Sequence, residues 1–121
     1  MKDAIIVYEK PTCTKCRETD RLLRESGIPY EKINYFIAPI GEAKLRELIG
    51  KMGITARELL RTGEAVYREL NLGKRDLTDD EIIGLLVEHP ELIQRPIVER
   101  GSRAVLGRPV EKIKDLLESE Q

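Results

Sequence analysis

The sequence predicts an α/β fold, with a strand–helix–strand unit, a helical insert and a closing strand–strand–helix unit around a mixed four-stranded sheet. Three observations predict it. An apolar run, an amphipathic run and an alternating run follow one another within the first 35 residues. Strand periodicity then disappears from Pro39 to Glu88, where every apolar spacing is helical. It returns as two short runs flanking Arg100-Gly101-Ser102-Arg103, ahead of a last amphipathic segment.

Ala4 to Tyr8 is continuously apolar, as a strand buried on both faces should be. Thr14 to Ser26 is a helix with Thr19, Leu22 and Leu23 on one side, and Gly27 is its C-terminal stop. Ile28 to Tyr35 alternates apolar and polar residues and forms the second strand. A strand, a helix and a strand in so short a span imply parallel pairing. In the insert, Leu45, Leu48, Ile49 and Met52 give a helix over Gly41 to Lys51 that Gly53 ends. Thr55 to Leu60 and Ala65 to Leu70 read as short helices. Thr78-Asp79-Asp80-Glu81 is a capping box before Ile82, Ile83, Leu85, Leu86 and Val87. Pro96 to Glu99 and Ala104 to Leu106 form a hairpin, its turn spanning Arg100 to Arg103. Pro109 to Glu118 closes the chain as a helix, with Val110, Ile113, Leu116 and Leu117 on one face. No linker, repeat or low-complexity tract interrupts residues 1–121, so a single domain with a helical insert over about 39–88 is expected.

With one Phe, four Tyr and no Trp, the core must be built from Ile, Leu and Val. Twenty-one basic residues against 22 acidic ones give a net charge of −1, which excludes bulk attraction to nucleic acid or membranes. No run is long enough to span a bilayer, and the N-terminus does not read as a leader, so a cytoplasmic location is expected. Two cysteines in such a chain fit a reducing compartment better than a disulfide scaffold.

Both cysteines, Cys13 and Cys16, lie where the first strand gives way to the first helix. Backbone N–H groups and the helix dipole favour negative charge there, so Cys13 should ionise readily beside Lys15 and Arg17, and the thiolate is the reactive form. Cys16 is one turn on, within disulfide reach of Cys13; it is either a resolving thiol or a small buried side chain. A zinc pair is disfavoured, since four ligands are needed and His89 is the sole further soft one. His89 itself, before Pro90 at a helix end, reads as a capping or packing residue.

The stretches Tyr8 to Arg17, Gly53 to Arg61, Leu77 to Asp80, His89 to Val98 and Gly107-Arg108-Pro109 together resemble the ArsC family, the glutaredoxin-linked arsenate reductases and their relatives, whose fold is thioredoxin-like. The His-Pro…Arg-Pro-Ile-Val block is far more specific than CxxC alone. The resemblance implies that Cys13 is the nucleophile, that Arg61, Arg95 and Arg108 hold the oxyanion, and that the Arg95-Pro96 bond is cis and faces the catalytic cysteine. Guanidinium suits the task because its planar fork bonds tetrahedral oxyanions bidentately and stays charged. No bound cofactor is implied; arsenate or a similar oxyanion is the substrate, with glutathione as co-substrate and glutaredoxin as partner. Taken singly, Arg61 could merely compensate a helix C-terminus, and Arg95 and Arg108 could be ordinary loop charges. The chain departs from the family pattern twice. Glu9 stands where members usually carry a histidine four residues before the cysteine, and Thr14-Lys15-Cys16 replaces Gly-Thr-Ser after it. A carboxylate beside the thiol would raise its pKa, with Lys10 offsetting it. The resulting CxxC also resembles the Spx regulators, which act through RNA polymerase, and general glutathione-dependent oxidoreductases. Spx-like proteins generally lack matches for the first and third arginines, which favours the enzyme.

Overall fold

The computed structural model describes residues 4–10, 14–107 and 111–118, apart from the side chains of 14 and 15. In chain order the elements are β1 (Ile5–Glu9), α1 (Thr14–Ser26), β2 (Tyr30–Asn34), α2 (Glu42–Met52), α3 (Ala65–Glu69), α4 (Asp79–Glu88), β3 (Ile97–Arg100), β4 (Arg103–Leu106) and α5 (Glu111–Glu118). They form two compact units, one of Met1–Ala38 with Arg95–Gln121 and one of Pro39–Gln94.

In the first unit the sheet order is β2-β1-β3-β4. β1 and β2 are parallel, while β3 is antiparallel to both β1 and β4, as the pattern of runs predicts. The α1 boundaries are those the periodicity gives, and Gly27 follows it at φ 74, a left-handed conformation that costs a Cβ-bearing residue far more. β2 begins at Tyr30 rather than Ile28, because Pro29 has no N–H to enter a ladder; its carbonyl instead accepts from Ile5 N at 3.3 Å. Ile5, Val7 and Val98 share one sheet face and pack with Leu23 of α1 and with Ile113 and Leu116 of α5, all at most 1% exposed. Each such side chain contributes roughly 1.5–3 kcal/mol by leaving water.

The hairpin is tighter than expected. Arg100 and Arg103 pair with each other, so only Gly101 and Ser102 turn, with Gly101 at φ 59. Arg100 is therefore a strand residue, 1% exposed, on the face shared with Val98. Its Nη1 donates to the carbonyls of Leu116 at 3.1 Å and Leu117 at 2.7 Å. It satisfies two carbonyls that the end of α5 leaves unpaired, with a cation at the negative pole of the helix.

In the second unit α2 ends on Gly53 (φ 66), as its spacing implies. The segment from Thr55 narrows to a 3-10 turn at Arg57–Leu59, since Thr55 closes it by side-chain bonding with Glu58. Thr78 and Glu81 make the full capping box of α4: Thr78 Oγ1 accepts from Glu81 N, and Glu81 Oε1 accepts from Thr78 N. The insert runs to Gln94 instead of Glu88, because Arg61 N donates to Leu92 O at 2.7 Å and Gln94 N to Leu59 O at 2.8 Å, tying its last segment back to its middle. Its core is hydrocarbon: Leu45, Leu48, Leu59, Leu72, Ile82, Leu86 and Leu92 are at most 1% exposed.

Candidate functional site

β1 and β2 end, and β3 begins, at one edge of the sheet; β4, antiparallel to β3, ends there too. Loops at the carboxyl ends of parallel strands are where α/β proteins place their ligands. Lys10, Tyr35, Phe36, Arg95 and Gly107 all issue from this edge, and in sequence Lys10 leads to Cys13 and Gly107 to Arg108. Cys13 and Arg108 themselves lie outside the described residues.

The Arg95-Pro96 bond is cis. Pro96 O accepts from Gly107 N at 2.9 Å, so the residues next to Arg95 and Arg108 are bonded to each other. A Cβ on Gly107 would fall 2.9 Å from Pro96 Cγ, 3.0 Å from Ile113 Cδ1 and 3.1 Å from Thr19 Oγ1. Only glycine lets the end of β4, the cis proline and α1 meet this closely.

Arg95 is 7% exposed. Tyr35, fully buried, accepts from Arg95 Nη1 at 3.5 Å, and the Arg95 guanidinium lies 5.7 Å from the centroid of the Phe36 ring. A buried cation with a phenol and an aromatic face around it is held in a fixed orientation. Arg61 belongs to the second unit; its Nε pairs with Glu64 Oε2 at 3.2 Å, and it lies beyond the 3-10 turn instead of closing a helix. Cys13 immediately precedes α1 in sequence, and Cys16, the third residue of α1, is 2% exposed.

Glu9 ends β1 on the inner face with Ile5 and Val7, opposite Asn34, and is 4% exposed. Its Oε1 has no hydrogen-bond partner among the described residues. Burial pushes its carboxyl above the ordinary value, against the pull of Lys32 and with the help of Asp20. Its burial favours the neutral acid, which carries no negative charge. Asp20 is held below the usual carboxylate range chiefly by the Tyr30 hydroxyl, which donates to it at 2.7 Å. On the other sheet face Tyr8 donates to Glu99 Oε1 at 2.8 Å, a diagonal pair across the antiparallel β1–β3 ladder.

Among the described residues no group of three or more His, Cys, Asp or Glu is arranged to hold a metal ion. His89 caps α4, its backbone N donating to Leu85 O. A cleft of about 200 Å³ in the helical unit is lined by Tyr67, Arg68, Asn71, Gly73 and Lys74 and holds no sulfur nucleophile.

A parallel βαβ half joined through a cis proline to an antiparallel ββα half, with a cysteine leading into the first helix, defines a thioredoxin-like protein. The chain belongs to the ArsC family, which it matches over residues 8–116. It is 40% identical over 117 residues to an arsenate reductase of Yersinia enterocolitica, covering 97% of this chain and 83% of that protein. It is 38% identical over 118 residues to the uncharacterized protein YfgD of Escherichia coli K12, covering 97% and 99%. The solved arsenate reductase of Vibrio cholerae superposes with a TM-score of 0.89 at 36% identity, covering 95% of this chain and 98% of that one.

Proposed function

We propose that the chain reduces arsenate to arsenite through Cys13. The observation that carries this reading is Arg95: a buried guanidinium, clamped by Tyr35 and Phe36, beside a cis proline whose carbonyl bonds the residue before Arg108. Similarity to arsenate reductases over 95–97% of this chain supports the substrate. The Cys13 thiolate attacks arsenic in HAsO4²⁻, the As–S bond forms, and one oxygen leaves as hydroxide that is protonated to water; arsenic stays pentavalent. Arg95, with Arg61 and Arg108, stabilises the oxyanion as it becomes the thiol adduct. Glutathione then attacks the Cys13 sulfur, the S–As electron pair passes to arsenic, and arsenite leaves with a Cys13–glutathione mixed disulfide behind. A second thiol, supplied through glutaredoxin, regenerates Cys13, so two thiols are oxidised for each arsenic reduced.

Cys16, buried in α1, is not an accessible partner for an outside thiol; attack on Cys13 from within the chain is the one resolving route open to it. No bound cofactor enters the scheme, and the reaction belongs to the cytoplasm, where glutathione keeps thiols reduced. Among the described residues no helix is long and apolar enough to cross a membrane. The polymerase-binding regulator leaves Arg61 and Arg108 without a task, and the general thiol oxidoreductase leaves all three arginines without one. The test is arsenite release from arsenate with glutathione and glutaredoxin supplied. Wild type should turn over, Cys13→Ser should be inactive, and Cys16→Ser should keep most of the rate. Turnover by Cys13→Ser, or none by wild type, overturns the reading.

A further inference from the structure

The chain has a single Phe, and it is not spent on the core. Phe36 is 38% exposed in the turn after β2, where burial repays little of its hydrophobic surface. Two cations lie over it: Lys10 Nζ at 4.9 Å and Arg95 Cζ at 5.7 Å from the ring centroid. Tyr35 packs on the same ring at 5.1 Å with a 35° tilt and bonds Arg95 through its hydroxyl. Lys10 makes no salt bridge to a described residue, so its charge is not neutralised within that part of the protein. Two cations held over one ring raise the positive potential around it, which attracts an anion. Lys10 also stands in sequence directly before Pro11-Thr12-Cys13.

We propose that Lys10 is a further oxyanion-binding residue of this site, and that Phe36 is the positioning residue that holds Lys10 and Arg95 as a cation pair for it. The proposal rests on Arg95 being an oxyanion ligand. It gives a role to the Glu9-Lys10 pair, where the chain departs from the family pattern: the charge absent with the missing histidine is supplied one residue later. Lys supplies a compact point charge; Arg95 supplies the planar fork.

The test separates binding from turnover. Arsenate is titrated calorimetrically into the Cys13→Ser protein, which cannot form the adduct, with Lys10→Met, Phe36→Leu and both together. Each single change should weaken binding about two- to fivefold, and the pair little more than either alone, since both break one arrangement. In the enzyme with Cys13 intact, the effect should fall on KM more than on kcat, and Lys10→Arg should restore most of it. Unchanged affinity in Phe36→Leu or Lys10→Met, or effects that simply multiply, overturns the proposal. If these variants weaken arsenate binding while the protein with Cys13 intact shows no turnover, the cation pair stands and the reductase reading falls. Undiminished binding in Arg95→Ala would remove the premise of both.

Discussion

The two units differ in what they bury. In the helical unit the buried side chains are hydrocarbon, from Leu45 and Leu48 to Ile82 and Leu86, and its charges lie at the surface. The sheet unit holds every buried polar or charged residue among those described: Glu9, Thr19, Arg95, Glu99 and Arg100. Burying charge is costly unless bonds replace water, so a fold keeps it where it serves capping, packing or chemistry. Here the inner face carries both uses. Arg100 at one end caps α5, while Glu9 at the other end is followed in sequence by the segment that leads to Cys13. Arg95 lies two residues before β3, the strand beside β1. The helical unit buries hydrocarbon alone; the sheet unit is where charge is buried.

That difference can be broken by substitution. Arg100→Ala should cost the most, about 4 kcal/mol, because it opens a cavity and strands the Leu116 and Leu117 carbonyls. Leu86→Ala in the helical unit should cost about 3 kcal/mol from its cavity alone. Urea titrations with Met at each position sharpen the contrast: Leu86→Met should stay within about 1.5 kcal/mol of wild type, whereas Arg100→Met should not recover, because Met cannot bond the carbonyls. Equal recovery at both would mean that Arg100 acts as packing only.

Tyr8→Phe is a smaller perturbation. It removes the O–H that Glu99 accepts at 2.8 Å and should destabilise by roughly 1.5–3 kcal/mol, the range for bonds to charged groups. A change within a few tenths would show that the pair is not needed to keep Glu99 inside.

Glu9→Gln should have the smallest effect and the opposite sign. The folded carboxyl titrates above its ordinary 4.5, so the folded state holds its proton more tightly than the unfolded chain does. Its favourable contribution is complete below the unfolded value and is lost as pH rises through the folded one. Gln does not titrate, so the variant should match wild type near pH 4 and be somewhat more stable than it near pH 7. Loss of stability at neutral pH would mean that Glu9 is held ionised by a partner.

Much of this was legible in the sequence, for physical reasons that vary by element. The α1 and α4 boundaries follow from Gly27 and from the Thr78–Glu81 box, local signals that tertiary packing does not override. The parallel β1–β2 pair follows from their spacing. The cis Arg95-Pro96 bond came from the resemblance alone. What stayed hidden depends on contacts distant in sequence. Arg100 beside a Gly-Ser turn looks solvated, and nothing local says that α5 will end over it. The Glu99 partner, Tyr8, lies 91 residues away. Phe36 could have been found: the chain's single Phe, next to Tyr35 just beyond an alternating strand, belongs to a loop, and a loop aromatic calls for a partner.

Arg95 is where the account can be tested most directly. With glutathione and glutaredoxin present, arsenate kcat/KM is measured for wild type, Arg95→Lys and Arg95→Ala, alongside each protein's Tm. The account predicts that Arg95→Ala loses roughly a hundredfold or more while remaining folded at the assay temperature, and that Arg95→Lys recovers only part of the loss because an ammonium lacks the fork. Near-wild-type kcat/KM in Arg95→Ala would contradict it, leaving the buried guanidinium a structural residue.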